Sequence, residues 1–109
     1  MFPAKVSRGA VDVMVTFLGE DLRGDALRLA SELRAERLRV EVFPEGSRTL
    51  DRALQYAAGR NVPVLAILGE DEHARGEVAV RDLQTRQQDG APRATAAKDI
   101  ARRVRIEAT

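Results

Sequence analysis

The spacing of apolar side chains along the chain predicts a sheet of parallel strands connected by helices. Residues 11–18 and 62–68 are almost continuously apolar and β-branched, which is typical of strands that are covered on both faces. Residues 38–42 alternate between apolar and charged side chains, which indicates a half-exposed strand at an edge. With right-handed crossovers, these three strands are predicted in the spatial order 2-1-3.

Three helices are predicted from apolar residues at helical spacing. The first stripe contains Leu22, Ala26, Leu29 and Leu33, and the second contains Leu50, Ala53, Leu54 and Ala57. The second helix follows a turn at residues 44–47 and ends at Gly59. The third begins near Thr95, a good N-cap, and buries Ile100 and Val104.

A small β-unit is predicted between the third strand and the last helix. Residues 77–81 alternate as a strand, and Asp89-Gly90 is a turn signal. A further short strand then fits around residues 84–88 or 91–94. The predicted fold class is therefore α/β, a three-layer, five-stranded mixed sheet with three helices. The predicted domain covers residues 11–105, after a leader or linker remnant at 1–10 and before a C-terminal tail at 106–109.

Composition narrows the class of protein. The 109 residues suit one domain, and 44% hydrophobic with 32% charged residues argues against disorder. The chain has no cysteine and one histidine, so disulfides and thiolate metal sites are excluded, and we expect no metal and no cofactor. No apolar run approaches the roughly 20 residues that span a bilayer, so we expect a cytoplasmic protein without a membrane partner.

The charge pattern is compatible with RNA without requiring it. The net charge is only +1, but 16 arginines stand against two lysines. Arginine forms bidentate contacts with phosphates and stacks on bases, although a composition bias of the source genome explains the same excess. The chain has neither a Gly-x-Gly-x-x-Gly nor a P-loop motif, and acidic residues fill the turn after the first strand. Those acids would repel a phosphate, which argues against a nucleotide site there.

Three short segments carry candidate chemistry, each with a structural alternative. Residues 70–73 (EDEH) could form a metal or acid–base site, a solvated turn, or an acceptor for exposed base edges. Ser47, Arg48, Thr49 and Arg52 could bind phosphate at the start of the second helix or simply cap it. Arg81 and Arg86 could likewise be surface arginines paired with Asp82.

Four segments of the chain together form a recognisable pattern: residues 67–72 (ILGEDE), 76–83 (GEVAVRDL), 46–50 (GSRTL) and 54–57 (LQYA). With them, the chain as a whole resembles the C-terminal anticodon-binding domain of histidyl-tRNA synthetases. The resemblance extends over about residues 10–105 and implies a five-stranded mixed sheet that holds a tRNA anticodon. In that family a separate catalytic domain activates the amino acid, so we expect no aminoacylation by this chain alone.

By position, the resemblance implies two sets of RNA-binding residues. Those expected to contact anticodon bases are Ser47, Thr49, Gln55, Glu72 and Arg81, and those expected to hold phosphates are Arg48, Arg52 and Arg86. The chain departs from the family in two places. It lacks the lysines that are usual in the second helix, and it has Arg86-Gln87-Gln88 instead of the usual Gly-Glu-Gln after the fourth strand.

Three functions therefore remain open at this point. The first is recognition of a tRNA, that of histidine by the resemblance, within a synthetase or by a free-standing relative of its anticodon domain. The second is a protein-interaction or regulatory module that keeps the fold but has lost RNA binding, which the less basic second helix favours. The third is a small nucleotide-binding enzyme, against which the acidic first turn argues.

Overall fold

The computed structural model describes residues 11–43 and 50–108, with side chains described as far as Arg105. Its strands are β1 (Val13–Phe17), β2 (Val40–Val42), β3 (Val64–Leu68), β4 (Glu77–Asp82) and β5 (Gln88–Pro92). Its helices are α1 (Arg23–Ala35), α2 (Asp51–Gly59), α3 (Glu70–Ala74) and α4 (Ala96–Ala108). Short 3-10 turns precede α1 and α4. The predicted leader at 1–10 and the predicted turn at 44–47 lie outside the described residues.

The five strands form one mixed sheet in the order β2-β1-β3-β4-β5. β1 pairs in parallel with β2 and with β3, so that Val13 lies beside both Val40 and Val64. β4 is antiparallel to β3 and to β5, with Ala79 between Ile67 and Gly90. The predicted 2-1-3 order and the five-stranded mixed sheet are confirmed. β2 lies at the edge and is half-buried, as its alternating sequence indicates.

Helices cover both faces of the sheet, which explains why β1 and β3 are apolar throughout. On one face, Val13, Val15 and Phe17 pack in a single cluster with residues of α1 and α4. On the other face, Met14 of β1 packs with residues of α2. We call the side that carries α2 the α2 face of the sheet. Every residue of β1 and β3 is buried, because alternate side chains enter one core or the other.

The ends of α1 and α2 are closed by residues in the left-handed region. Arg37, with φ of 68°, follows α1, and its amide donates to Arg34 O while Leu38 N donates to Leu33 O. This pair of hydrogen bonds is a Schellman motif. The prediction that α2 ends at Gly59 is confirmed. The same motif closes α2, and its left-handed residue is Asn61, with φ of 58°.

Three details of the second half differ from the sequence prediction. Residues 70–74 form a short fourth helix. β5 covers residues 88–92, so Asp89-Gly90 is part of a strand, and the β4–β5 turn lies at residues 83–87. The turn forms earlier because the Asp82 carboxylate accepts hydrogen bonds from the amides of Gln84 and Thr85.

Thr95 ends the 3-10 turn just before α4, and Ile100 and Val104 are buried as predicted.

The final helix continues to Ala108, into the predicted C-terminal tail. The domain bounds of 11–105 stay a prediction. Within the described ranges 11–43 and 50–108, no helix has the length and apolar character to cross a bilayer.

Candidate nucleic-acid interface

The predicted RNA-binding residues in and before α2 are only partly described. Ser47, Arg48 and Thr49 lie outside the described residues. Arg52 and Gln55 are both exposed on α2, whose buried residues Ala53 and Ala57 face the sheet. Because α2 connects the carboxyl end of β2 to the amino end of β3, Arg52 lies near the edge where the parallel strands end.

Glu72 lies at the same edge, held there by the turn of helix that follows β3. Its carboxylate lies over Gly69, where an added methyl group would overlap Oε1 and would also approach Leu18 of the α2-face core. The side chain is 28% exposed, and Oε2 lies 3.8 Å from Nη2 of Arg75. Gly69 therefore leaves room for the Glu72 carboxylate to lie on the α2 face, partly open to solvent.

Arg81 and Arg86 lie toward the other end of β4. Arg81 shares the α2 face with Ala79, two residues before it, and stands between Leu65 and the β5 residue Gln88. Arg86 occupies the β4–β5 turn with φ of 66°. Across the described residues, neither guanidinium has a hydrogen-bond or ion-pair partner in the protein. The expectation that Asp82 pairs with them is not met, because its carboxylate accepts from the turn amides.

The two sides of this surface are too far apart to contact one base. Gly69 is two residues beyond Ile67 and thus level with Glu77, by the pairing of Ile67 with Ala79. Arg81 lies four residues farther along β4, which corresponds to about 14 Å at the usual rise of a strand. If Glu72 and Arg81 both bind RNA, they contact different nucleotides.

Gln88 is a candidate that the sequence did not reveal. It lies directly opposite Arg81 on β5, is exposed, and forms no side-chain hydrogen bond within the described chain. The sequence suggested a strand at 84–88 or 91–94, so no cross-strand partner for Arg81 could be assigned. Only the observed register of the β4–β5 hairpin places these two side chains together.

The opposite face carries a polar cluster that links α1 to the start of α4. Arg93 donates to Asp25 at 2.9 Å and to Glu32 at 2.8 Å, and His73 Nδ1 lies 3.8 Å from Asp25. Burial alone would raise the pKa of Asp25. The hydrogen bonds and charge of Arg93, with the charges of Arg28 and His73, outweigh that effect and leave the pKa below its ordinary value.

This cluster is consistent with a structural role. Its charges are balanced by ion pairs within the protein, and it joins elements that lie far apart in the sequence. Throughout the described part of the chain, no group of three or more His, Cys, Asp or Glu residues could hold a metal ion. The acidic segment at 70–73 divides between the two faces, with Glu72 on the α2 face and His73 beside Asp25.

Comparisons with known proteins identify the family of this chain. A family model described as an anticodon binding domain matches residues 12–103. The chain is 35% identical over 102 residues to a histidine–tRNA ligase of Xylella fastidiosa (strain M23), covering 94% of this chain and 21% of that protein. It is also 35% identical over 92 residues to a histidine–tRNA ligase of Porphyromonas gingivalis, covering 84% of this chain and 20% of that protein.

A solved structure shows the same architecture. The crystal structure of histidyl-tRNA synthetase from Nostoc sp. PCC 7120 superposes with a TM-score of 0.80 at 28% identity, covering 87% of this chain and 23% of that one. The chain spans about a fifth of the length of its curated relatives. It belongs to the anticodon-binding domain family, in the form that histidyl-tRNA synthetases carry.

Proposed function

We propose that this chain recognises the anticodon of a tRNA, that of histidine, as the anticodon-binding domain of a histidyl-tRNA synthetase or as a free-standing relative. The observation that carries the proposal is that Glu72 and Arg81 both lie on the α2 face of the sheet and are both partly open to solvent. Activation of the amino acid belongs to a catalytic domain, in the same chain or another, and this chain alone does not catalyse it. The cytoplasm is its proposed location.

The chemistry of this face suits unpaired bases. Anticodon bases are unstacked and expose donor and acceptor groups, which a carboxylate, an amide and a guanidinium can match. Glu72 supplies acceptors at the carboxyl end of the sheet, and Gln55 supplies an exposed amide on α2. Arg81 supplies a donor fork about 14 Å from Glu72 along β4. Ser47 and Thr49 precede α2 in sequence and complete the proposed base-contacting set.

Phosphate contacts would fix the position of the RNA without selecting its sequence. Arg52 is exposed near the N-terminal end of α2, where backbone amides also favour anions, and Arg48 precedes it in sequence. Arg86 extends from the β4–β5 turn at the far end of the face. The proposed phosphate contacts therefore lie on either side of the proposed base contacts.

The test compares the two sets of residues by titration against a histidine tRNA and an anticodon-swapped version at two salt concentrations. Arg48→Ala and Arg52→Ala are expected to weaken binding of both RNAs equally and to flatten the salt dependence. Glu72→Ala and Arg81→Ala are expected to reduce discrimination between the RNAs, by about 1–3 kcal/mol for a lost bidentate contact.

Arg37→Ala is the matched control, because Arg37 is an exposed arginine that follows α1, remote from the α2 face. It should leave discrimination unchanged and affect binding less than Arg52→Ala does. Equal binding of both RNAs by the wild type, with no effect of Glu72→Ala or Arg81→Ala, would refute anticodon recognition. The interaction-module function would then replace it.

A further inference from the structure

Arg81 and Gln88 form a cross-strand pair whose side chains emerge together on the α2 face. They are directly opposite in the antiparallel β4–β5 register. The neighbouring amide of Asp82 donates to Gln87 O at 2.8 Å, so the Arg81–Gln88 pair is of the non-hydrogen-bonded type. In such pairs the Cβ atoms lie roughly 4.5–5.5 Å apart, and the side chains are at their closest. One ligand can therefore contact both.

The polar groups of this pair are free to bind a ligand, since within the described chain neither side chain has a protein partner. The acidic side chains around them are engaged elsewhere. Asp82 accepts from its own turn, Asp89 pairs with Arg103 of α4 on the opposite face, and Glu77 pairs with Arg75. The guanidinium and the amide therefore stand side by side, without a carboxylate to neutralise them.

We propose that Arg81 and Gln88 form one subsite that selects guanine or cytosine at a single unpaired position of the bound RNA. This inference rests on the proposed function and names the specificity of one part of the same face. Gln88 is the new specificity-determining residue, and the two side chains act as a unit. Together they present two parallel N–H donors from Arg81, followed by the carbonyl acceptor of Gln88.

The complementary base edge must present two adjacent acceptors followed by a donor. Guanine does so with N7, O6 and N1–H, and cytosine does so with O2, N3 and the N4 amino group. Adenine and uracil do not, because a donor separates the acceptors along their accessible edges. An arginine fork finds two neighbouring acceptors on guanine and cytosine alone, and the Gln88 carbonyl then accepts from the donor beside them.

The experiment uses the full 109-residue chain and a histidine tRNA anticodon stem-loop in which each anticodon position carries each of the four bases in turn. Dissociation constants are measured by fluorescence anisotropy at one fixed salt concentration. At one position, guanine and cytosine are expected to bind about 5- to 150-fold more tightly than adenine and uracil, the range for one bidentate contact. The other positions should not show this pattern.

Variants separate the roles of the two side chains. Gln88→Met removes the acceptor at similar size and should reduce the preference for guanine and cytosine. Gln87→Met is the matched control, because Gln87 is an adjacent exposed glutamine one residue out of phase, directed to the other side of the strand. It should leave the preference unchanged.

A guanine analogue tests Arg81 without depending on a variant that fails to fold. Placing 7-deazaguanine at the sensitive position removes N7 and should weaken binding to the wild type by at least several-fold. The analogue should make no difference to Arg81→Met, checked for folding by circular dichroism.

Outcomes that would overturn this inference can be told apart from failure of the proposed function. If the stem-loop binds and Glu72→Ala alters base discrimination, but no position prefers guanine and cytosine, the subsite is wrong and anticodon recognition stands. The subsite is equally wrong if Gln88→Met behaves like Gln87→Met. If no stem-loop binds more tightly than a scrambled hairpin, both the subsite and the proposed function fail.

Discussion

Replacing Arg86 by glycine should stabilise the domain while weakening its binding to RNA. Arg86 closes the β4–β5 turn with φ of 66°, a conformation that a residue with a Cβ adopts at a cost. Histidyl-tRNA synthetases, by the resemblance, usually have glycine here. Arg86 also lies at the margin of the proposed binding face, where its side chain is proposed to hold a phosphate.

The expected gain in stability follows from two opposing terms. A non-glycine residue in the left-handed region costs about 1–2 kcal/mol, which glycine avoids. Glycine in turn gives the unfolded chain more freedom, which costs about 0.4–1 kcal/mol. The net stabilisation of Arg86→Gly is therefore about 0–1.6 kcal/mol, centred near 0.8 kcal/mol. No side-chain hydrogen bond or ion pair of Arg86 within the described chain is lost to offset it.

Urea denaturation measures the first effect, and titration with the histidine tRNA at two salt concentrations measures the second. Losing one phosphate contact should make the negative slope of log K against log salt shallower by about 0.7–0.9. Arg37→Gly is the matched control, since Arg37 has φ of 68° and no side-chain partner in the described chain. It follows α1 on the way to the edge strand β2, three or four strand spacings from β4 and β5, or about 14–19 Å.

Both variants should therefore gain similar stability, and only Arg86→Gly should lose RNA affinity and salt dependence. If Arg86→Gly were less stable than the wild type, the argument from the backbone conformation would be wrong. If both variants lost affinity equally, the effect would be one of net charge, and Arg86 would not be a phosphate contact.

Three further predictions follow from the core, the ion-pair cluster and the domain content. Ile67→Ala should lower the free energy of unfolding by about 2–5 kcal/mol in urea denaturation, because Ile67 is 3% exposed in the α2-face core; a cost under 1 kcal/mol would contradict that packing. Asp25→Asn should cost about 1.5–3 kcal/mol at pH 7 by weakening the charged hydrogen bonds from Arg93. Because the pKa of Asp25 is lowered on folding, this contribution is present above the unfolded pKa of about 3.9 and is lost as pH falls through the folded pKa. The melting temperatures of variant and wild type should therefore converge as the pH is lowered below the unfolded pKa. The purified chain should show no ATP–pyrophosphate exchange and no aminoacylation, and activity that survives further purification would refute this.

The parts of the fold that the sequence predicted are those where burial alone decides the pattern. β1 and β3 are apolar at every position because both of their faces are covered, and β2 alternates because its edge position leaves it half-buried. The order 2-1-3 then follows from the handedness of crossovers, which is nearly invariant. Strand polarity and core membership of this kind require no knowledge of individual contacts.

The second half was harder to predict because local signals compete there. Asp89-Gly90 is typical of a turn, yet it lies in β5, where Gly90 sits opposite Ala79 and close to the Glu77 carboxylate. The Asp82 carboxylate caps an earlier turn and so decides where the hairpin reverses. Which of two turn-prone segments forms the turn depends on the pairing of both strands, a property of the tertiary structure.

The candidate site also has one part that the sequence predicted and another that only the tertiary structure decided. The family and the residue types suited to RNA, among them Glu72 and Arg81, could be inferred from the sequence by itself, because motifs are local in the chain. Only the tertiary structure placed Gln88 beside Arg81, separated Glu72 from Arg81 along β4, and paired Asp25 with Arg93 across 68 positions of sequence. The physical reason is that side-chain proximity is set by strand register and helix packing, in which one residue of shift moves a side chain to the opposite face.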